Sequence, residues 1–171
     1  MSNQQRKRRL VNAVNFVIIA LQRVGIAFGP MQLLTVAGRR TGRLRTFAIA
    51  VVVVAGQRYI VQAFPKAAWV ANARAAEQVT LTRGRRSTQA RLVELPVESR
   101  RPVLRQLVEQ SPASVGKRYA DNGLSPSPAP DDVAASAERI AVFRVVERGD
   151  DLSGLGADDT TLGVLRTKPA G

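Results

Sequence analysis

Residues 46–54, TFAIAVVVV, constrain the fold more than any other stretch of this chain. Six of the nine are β-branched, and such side chains lose rotamer freedom in a helix but pack well on a pleated surface. A strand is therefore predicted here, bounded by the turn sequences GRRTGR before it and AG after it.

The neighbouring segments repeat that pattern. Residues 31–37 (MQLLTVA) read as a strand entering the GRRTGR turn, and residues 58–63 (RYIVQA) as a third strand reached by a short hairpin around AGQ. Residues 78–82 and 88–95 alternate apolar and polar side chains and form a second hairpin across RGRRS, and residues 139–147 (RIAVFRVVE) supply a last strand. Between them, residues 67–76 are Ala-rich and helical, and residues 97–110 are helical with Pro102 near the first turn, where proline is tolerated. Residues 111–132, which include SPSPAP, lack apolar periodicity and are predicted to be an irregular connection.

Six short strands with intervening helices suit a mainly β, α+β chain built as a small antiparallel barrel or strongly curved sheet, rather than a parallel α/β sheet. At 171 residues and 45% hydrophobic content there is room for one core. The expected organisation is an N-terminal amphipathic helix over 1–29, the barrel over 30–147 and a flexible tail over 148–171.

Charge is distributed unevenly along the chain. The formal net charge is +13, yet no acidic residue precedes Glu77, so the excess belongs to the front half and anion binding is expected there. The absence of Cys and His excludes disulfides, thiolate nucleophiles, the usual Ser or Cys triads and cysteine- or imidazole-based metal sites. The acidic residues are scattered, so no metal site is expected, and an enzyme of this composition draws its reactive atoms from a bound cofactor.

Arg6, Lys7, Arg8 and Arg9 precede an apolar stretch over 11–28 that is broken by Asn12, Asn15, Gln22 and Arg23. It is too interrupted for a bilayer span and lacks a signal-cleavage boundary. At helical spacing the four polar residues fall on one stripe, opposite Val11, Val14, Val17, Ile18, Leu21 and Val24. The readings open for this amphipathic helix are packing on the domain, contact with an anionic lipid surface, or both by exchange of partners, with a signal peptide as a further alternative.

The turn at residues 38–45, GRRTGRLR, holds four arginines, two glycines and Thr41. Guanidinium forks suit phosphate and carboxylate oxygens, and backbone amides in a tight turn are expected to form an anion-binding concavity. The other reading is a solvated hairpin turn. Residues 63–72, AFPKAAWVAN, leave a strand and enter a helix, making Lys66 and the first helical N–H groups available to an anion. Phe64 could offer a flat face to a planar ring, whereas Trp69, the only tryptophan, reads better as a core anchor. Asn72 is placed to hydrogen-bond a neighbouring loop.

Taken in order, LLTVAGRRTGRLRT, the Val-rich strand and YIVQAFPKAAWVANARAAEQVTLTRG resemble the deazaflavin-dependent nitroreductase and quinone reductase family of actinobacteria. That family carries a Thr-x-Gly-Arg-Lys-Ser-Gly-x-x-Arg turn followed by Trp-x-x-Asn-x-x-Ala. The resemblance implies a split β-barrel binding coenzyme F420, an 8-hydroxy-5-deazaflavin with a phosphate and an oligoglutamate tail. By position it implies that Arg39, Arg40 and Thr41 grip the phosphate and Arg45 the phosphate or tail. Ala63, Phe64 and Lys66 would line the ring and phosphate side, with Trp69 and Asn72 bracing the loop. Here Arg40 and Thr41 replace the family's Lys and Ser, Ala48 replaces a proline often found after the turn, and FPKAA is shorter than the family's loop.

The implied activity is hydride transfer from reduced F420 to a quinone-like, nitroaromatic or other activated hydrophobic acceptor. Tyr119 is the one candidate proton donor among the tyrosines, besides Ser, Thr or water. The implied location is cytoplasmic, with peripheral membrane contact through residues 1–28. The alternative is a cofactor-free lipid- or fatty-acid-binding barrel, and nucleic-acid binding has only charge in its favour because aromatic residues are few.

Overall fold

The computed structural model describes residues 29–147. The expected N-terminal helix, apart from its last residue, and the expected tail lie outside the described residues.

Six strands and four helices follow in chain order. They are β1 (Met31–Ala37), β2 (Leu44–Val54), β3 (Gln57–Val61), α1 (Ala68–Ala75), β4 (Val79–Arg83), β5 (Arg86–Glu94), α2 (Val97–Glu109), α3 (Ala113–Asp121), α4 (Pro130–Ala135) and β6 (Val142–Glu147). The strands close into an antiparallel barrel of order β1-β2-β3-β6-β5-β4, which is the split-barrel architecture.

The two longest strands, β2 and β5, each serve two neighbours. The first part of β2 pairs with β1, from Ala37↔Leu44 to Met31↔Ala50, and its last four residues pair with β3, from Val51↔Ile60 to Val54↔Gln57. Likewise β5 pairs with β4 up to Val79↔Ala90 and with β6 from Ala90↔Glu147 to Glu94↔Phe143. The β-branched run is thus the seam between two half-sheets. The hydrogen-bonded ladder extends β2 two residues earlier than its composition suggests, because Leu44 and Arg45 still pair with Ala37 and Val36.

Two cores result. Inward-facing Leu34, Val36, Ile49, Val51, Ile60, Leu81 and Phe143 fill the barrel, and α1 adds Trp69, Val70 and Ala73. Trp69 meets Phe143 at 5.5 Å between ring centroids, tilted by 58°, a favourable aromatic geometry. Outside the barrel, Val54, Tyr59 and Val142 pack with Leu104, Leu107, Tyr119 and Val133 from α2, α3 and α4.

Residues 111–132 depart from expectation, because they contain α3 and the start of α4. Pro112 occupies the N-cap of α3 and Pro130 the first turn of α4, positions where a missing N–H costs nothing. Val115 and Tyr119, one turn apart, face the outer core. Gly116 lets Pro128 approach so closely that a Cβ there would stand 2.3 Å from the Pro128 carbonyl oxygen. Between the helices, the Ser127 hydroxyl donates to Asp132 and accepts from the Ala129 N–H, while the Ser125 hydroxyl donates to the Ser127 carbonyl. Prolines at permitted positions and side-chain bonds to backbone order a segment whose composition alone suggests irregularity.

Candidate functional site

The turn between β1 and β2 closes on itself. The Gly38 N–H donates to the Arg43 carbonyl at 2.9 Å, and the Thr41 and Gly42 N–H groups donate to the Gly38 carbonyl at 3.1 and 2.8 Å. Glycine at 38 permits a close approach: a Cβ would lie 3.2 Å from the Arg43 carbonyl oxygen and 3.3 Å from Thr41 Oγ1, so these neighbours would have to shift by a few tenths of an ångström. The Arg39 N–H donates to Asn72 Oδ1 at 3.3 Å, so the buried amide of α1 ties the turn to the helix. The backbone concavity expected here is therefore not formed: the amides of 38, 39, 41 and 42 all have partners. What the turn offers an anion is its guanidinium groups.

The connection from β3 to α1 is held from both sides. The Gln62 N–H donates to the Ala141 carbonyl at 2.9 Å, Gln62 Oε1 accepts from the Ala141 N–H at 3.1 Å, and Gln62 Nε2 donates to the Phe64 carbonyl at 2.8 Å. Asn122, beyond α3, donates Nδ2 to the Ala63 carbonyl at 2.7 Å. Lys66 then adopts φ +55°, a left-handed conformation rare for a side-chain-bearing residue, and Ala67 caps α1 without a side-chain bond. The first turn of α1 thus presents N–H groups and the positive end of its dipole.

These elements enclose a cleft of about 520 Å³ whose lining includes Arg39, Gln62, Lys66, Ala68, Arg74 and Arg139. Of the residues singled out in the sequence, Arg39 and Lys66 line this cleft. Arg40 and Thr41 on the turn and Arg45 at the start of β2 stand exposed outside the lining. Ala63 and Phe64 sit on the adjoining loop, with the Phe64 ring 43% exposed. Trp69 and Asn72 are buried beneath it, one in the barrel core and the other bonded to the turn. Tyr119 is 3% exposed within the outer core and outside the cleft lining.

Gln62, Arg74 and Arg139 were not flagged by the sequence. Gln62 carried a signal, a polar residue at the inward parity of a strand after Ile60. Arg139 carried none, since only the tertiary fold brings the approach to β6 beside α1.

Charge in the cleft is largely uncompensated. Arg74 forms a two-pronged ion pair with Glu94 at 2.7 Å on each side, and Glu94 also receives Arg100 at 3.0 Å. The hydrogen bonds from Arg74 hold the Glu94 carboxyl below the usual carboxylate range against the opposing effect of burial, and Glu94 raises the Arg74 guanidinium in turn. Arg39, Lys66 and Arg139 have no acidic partner among the described residues. A second groove of about 440 Å³, between Glu77, Gln89, Arg91 and Glu147, mixes both signs of charge. Among the described residues no cluster of acidic side chains could hold a metal, and no helix is long and apolar enough to cross a membrane.

A cleft of this volume is within the range that holds a small-molecule cofactor. Arg39, Lys66 and Arg139, without an acidic partner among the described residues, lie beside a helix N-terminus that no side chain caps, a charge distribution suited to an anionic group.

A model of the F420H(2)-dependent quinone reductase family matches residues 17–123. No curated protein matches the chain. Among solved structures, an F420-H2 dependent reductase (FDR-A) is 24% identical, with 68% of this chain and 93% of that one covered at a TM-score of 0.46. A conserved hypothetical protein from Mycobacterium tuberculosis is 17% identical, with 95% and 92% covered at 0.42. A FAD-binding protein from Mesorhizobium loti is 15% identical, with 78% and 88% covered at 0.43. The chain belongs to the F420H(2)-dependent quinone reductase family and is an F420-dependent oxidoreductase.

Proposed function

We propose that this protein reduces a quinone-like, nitroaromatic or other activated hydrophobic acceptor with reducing equivalents from coenzyme F420 held in the cleft. The observation that carries this reading is the gathering of Arg39, Lys66 and Arg139 beside the uncapped start of α1. Bound there, the deazaflavin supplies the hydride.

The chain's own residues bind, orient and shield. Arg39 and Lys66, with the first N–H groups of α1, hold the phosphate, and Arg40 and Thr41 on the exposed turn, with Arg45 at the start of β2, extend the basic rim. Asn72 fixes Arg39 through its N–H, and Trp69 seats α1 against Phe143, so the phosphate site cannot drift relative to the barrel. Ala63 and Phe64 form the apolar lip over which ring and acceptor meet.

Tyr119 is a poor source of the proton that completes reduction. Burial pushes its phenol pKa above the ordinary value, disfavouring release of the proton. The chain has no His, which leaves a Ser or Thr hydroxyl or solvent to deliver that proton. A hydrophobic acceptor is also consistent with peripheral membrane contact, at the inner face of the cell membrane, through the basic sequence of residues 1–28.

Fluorescence titration of the purified protein with F420 tests the site. Saturable binding is expected, weakened about tenfold by Arg39→Ala or Lys66→Ala, the scale of one charge-assisted hydrogen bond. Turnover of reduced F420 with a panel of quinones and nitroaromatics then tests the acceptor class. Binding that neither substitution weakens would move the cofactor to another surface.

A further inference from the structure

Resting on the cofactor reading above, we propose that Arg139 is a specificity-determining residue that reads the anionic tail of the cofactor, separately from its phosphate.

The backbone carrying Arg139 is held unusually firmly for a connection. Arg100, on α2 and 9% exposed, donates Nη1 to the carbonyls of Ala137 at 3.2 Å and Ile140 at 3.3 Å, bracketing the two residues between them. Its remaining donors reach the Leu95 carbonyl at 2.7 Å and Glu94 at 3.0 Å. The Arg139 N–H donates to the Ser136 carbonyl at 2.9 Å, and Ala141 exchanges two bonds with Gln62. Burying a guanidinium is costly unless its donors are satisfied, and here two of its four bonds go to the carbonyls that bracket Arg139.

The side chain so positioned is exposed, without an ion pair among the described residues, and lines the cleft with Arg39, Lys66 and Arg74. Arg74 is already engaged by Glu94, which it shares with Arg100. Arg39 and Lys66 belong to the turn and the α1 start, and together with helical N–H groups they suffice for one phosphate. Arg139 comes from a different element, the approach to β6, and leaves a third cation facing the same space. A ligand that balances it must carry a second anionic group beyond the phosphate, and the carboxylates of an oligoglutamate tail supply one. A guanidinium fork matches a carboxylate in both shape and charge.

The test compares two probes by fluorescence titration: F420 with its glutamate tail, and the same deazaflavin phosphate lacking glutamates. Wild type is expected to prefer the tailed form about tenfold. Arg139→Gln should lose that preference by weakening the tailed form about tenfold more than the tail-less form, and Arg139→Lys should restore most of it. The preference of wild type should shrink with added salt more than that of Arg139→Gln. Equal wild-type affinity for both probes overturns the inference alone, as does an Arg139→Gln protein that keeps the preference or weakens both probes equally. Wild type binding neither probe overturns the cofactor reading and this inference with it.

Discussion

Lys66 concentrates two demands in one residue. Its φ of +55° turns the chain so that α1 starts at the cleft, a conformation that costs an L-residue roughly 1–2 kcal/mol. Its ammonium is also one of the three unpaired cations there. Lys66→Gly separates the two: relief of strain, partly offset by the greater freedom of glycine in the unfolded chain, should leave stability unchanged or raised by up to about 1 kcal/mol. Cofactor affinity should fall about tenfold. Urea unfolding and fluorescence titration on one preparation read both quantities, and a loss of stability would show that the lysine side chain holds the loop. At this scale the sequence exposes only part of the site. Arg39 and Lys66 are legible because each sits beside a turn-forming Gly or Pro, where charge has no core to serve. Arg139 is not, because its importance comes from Arg100, thirty-nine positions earlier, gripping the carbonyls around it.

Among the elements, α1, β5 and α2 are joined through a single carboxylate. Glu94, at the end of β5, takes two bonds from Arg74 of α1 and one from Arg100 of α2. Its native pKa lies below the ordinary value, chiefly through the Arg74 bonds, so the folded state binds this proton less tightly than the unfolded chain does. The resulting stabilisation is complete above the ordinary glutamate pKa of about 4.3 and is lost as pH falls through the lower native value. Wild type should therefore exceed Glu94→Gln in urea midpoint near neutral pH, with the gap closing on the acid side. A gap independent of pH would assign the effect to packing instead of charge. Element identity was mostly legible: β-branched alternation marks the strands, and the Ala-rich run marks α1. The exceptions are α4, only six residues long, and α3, whose short apolar face of Val115 and Tyr119 is hidden among prolines and completed only by contact with the rest of the outer core. Local sequence reports a helix poorly when its stabilisation is tertiary.

The whole molecule has two cores but is not built as two independent units. Because β2 and β5 each contribute one part to one half-sheet and the rest to the other, neither half can open without releasing strands that the other needs. The chain should accordingly unfold in one cooperative step. Trp69 makes this measurable, since it is the only tryptophan and lies in the barrel core, while Leu104 lies fully buried in the outer core. Leu104→Ala removes three carbons from a filled space and should cost about 2–5 kcal/mol. If the cores are coupled through the shared strands, Trp69 fluorescence in urea will shift by the same midpoint change as far-UV circular dichroism, although the substitution touches nothing in the tryptophan's own core. An unmoved Trp69 transition beside a shifted or split circular dichroism curve would mean that the helical layer melts separately. The arginine network, in which Arg100 extends from the helical layer to Glu94 and, through it, to Arg74 on the helix that bears Trp69, would then also be too weak to couple the two layers.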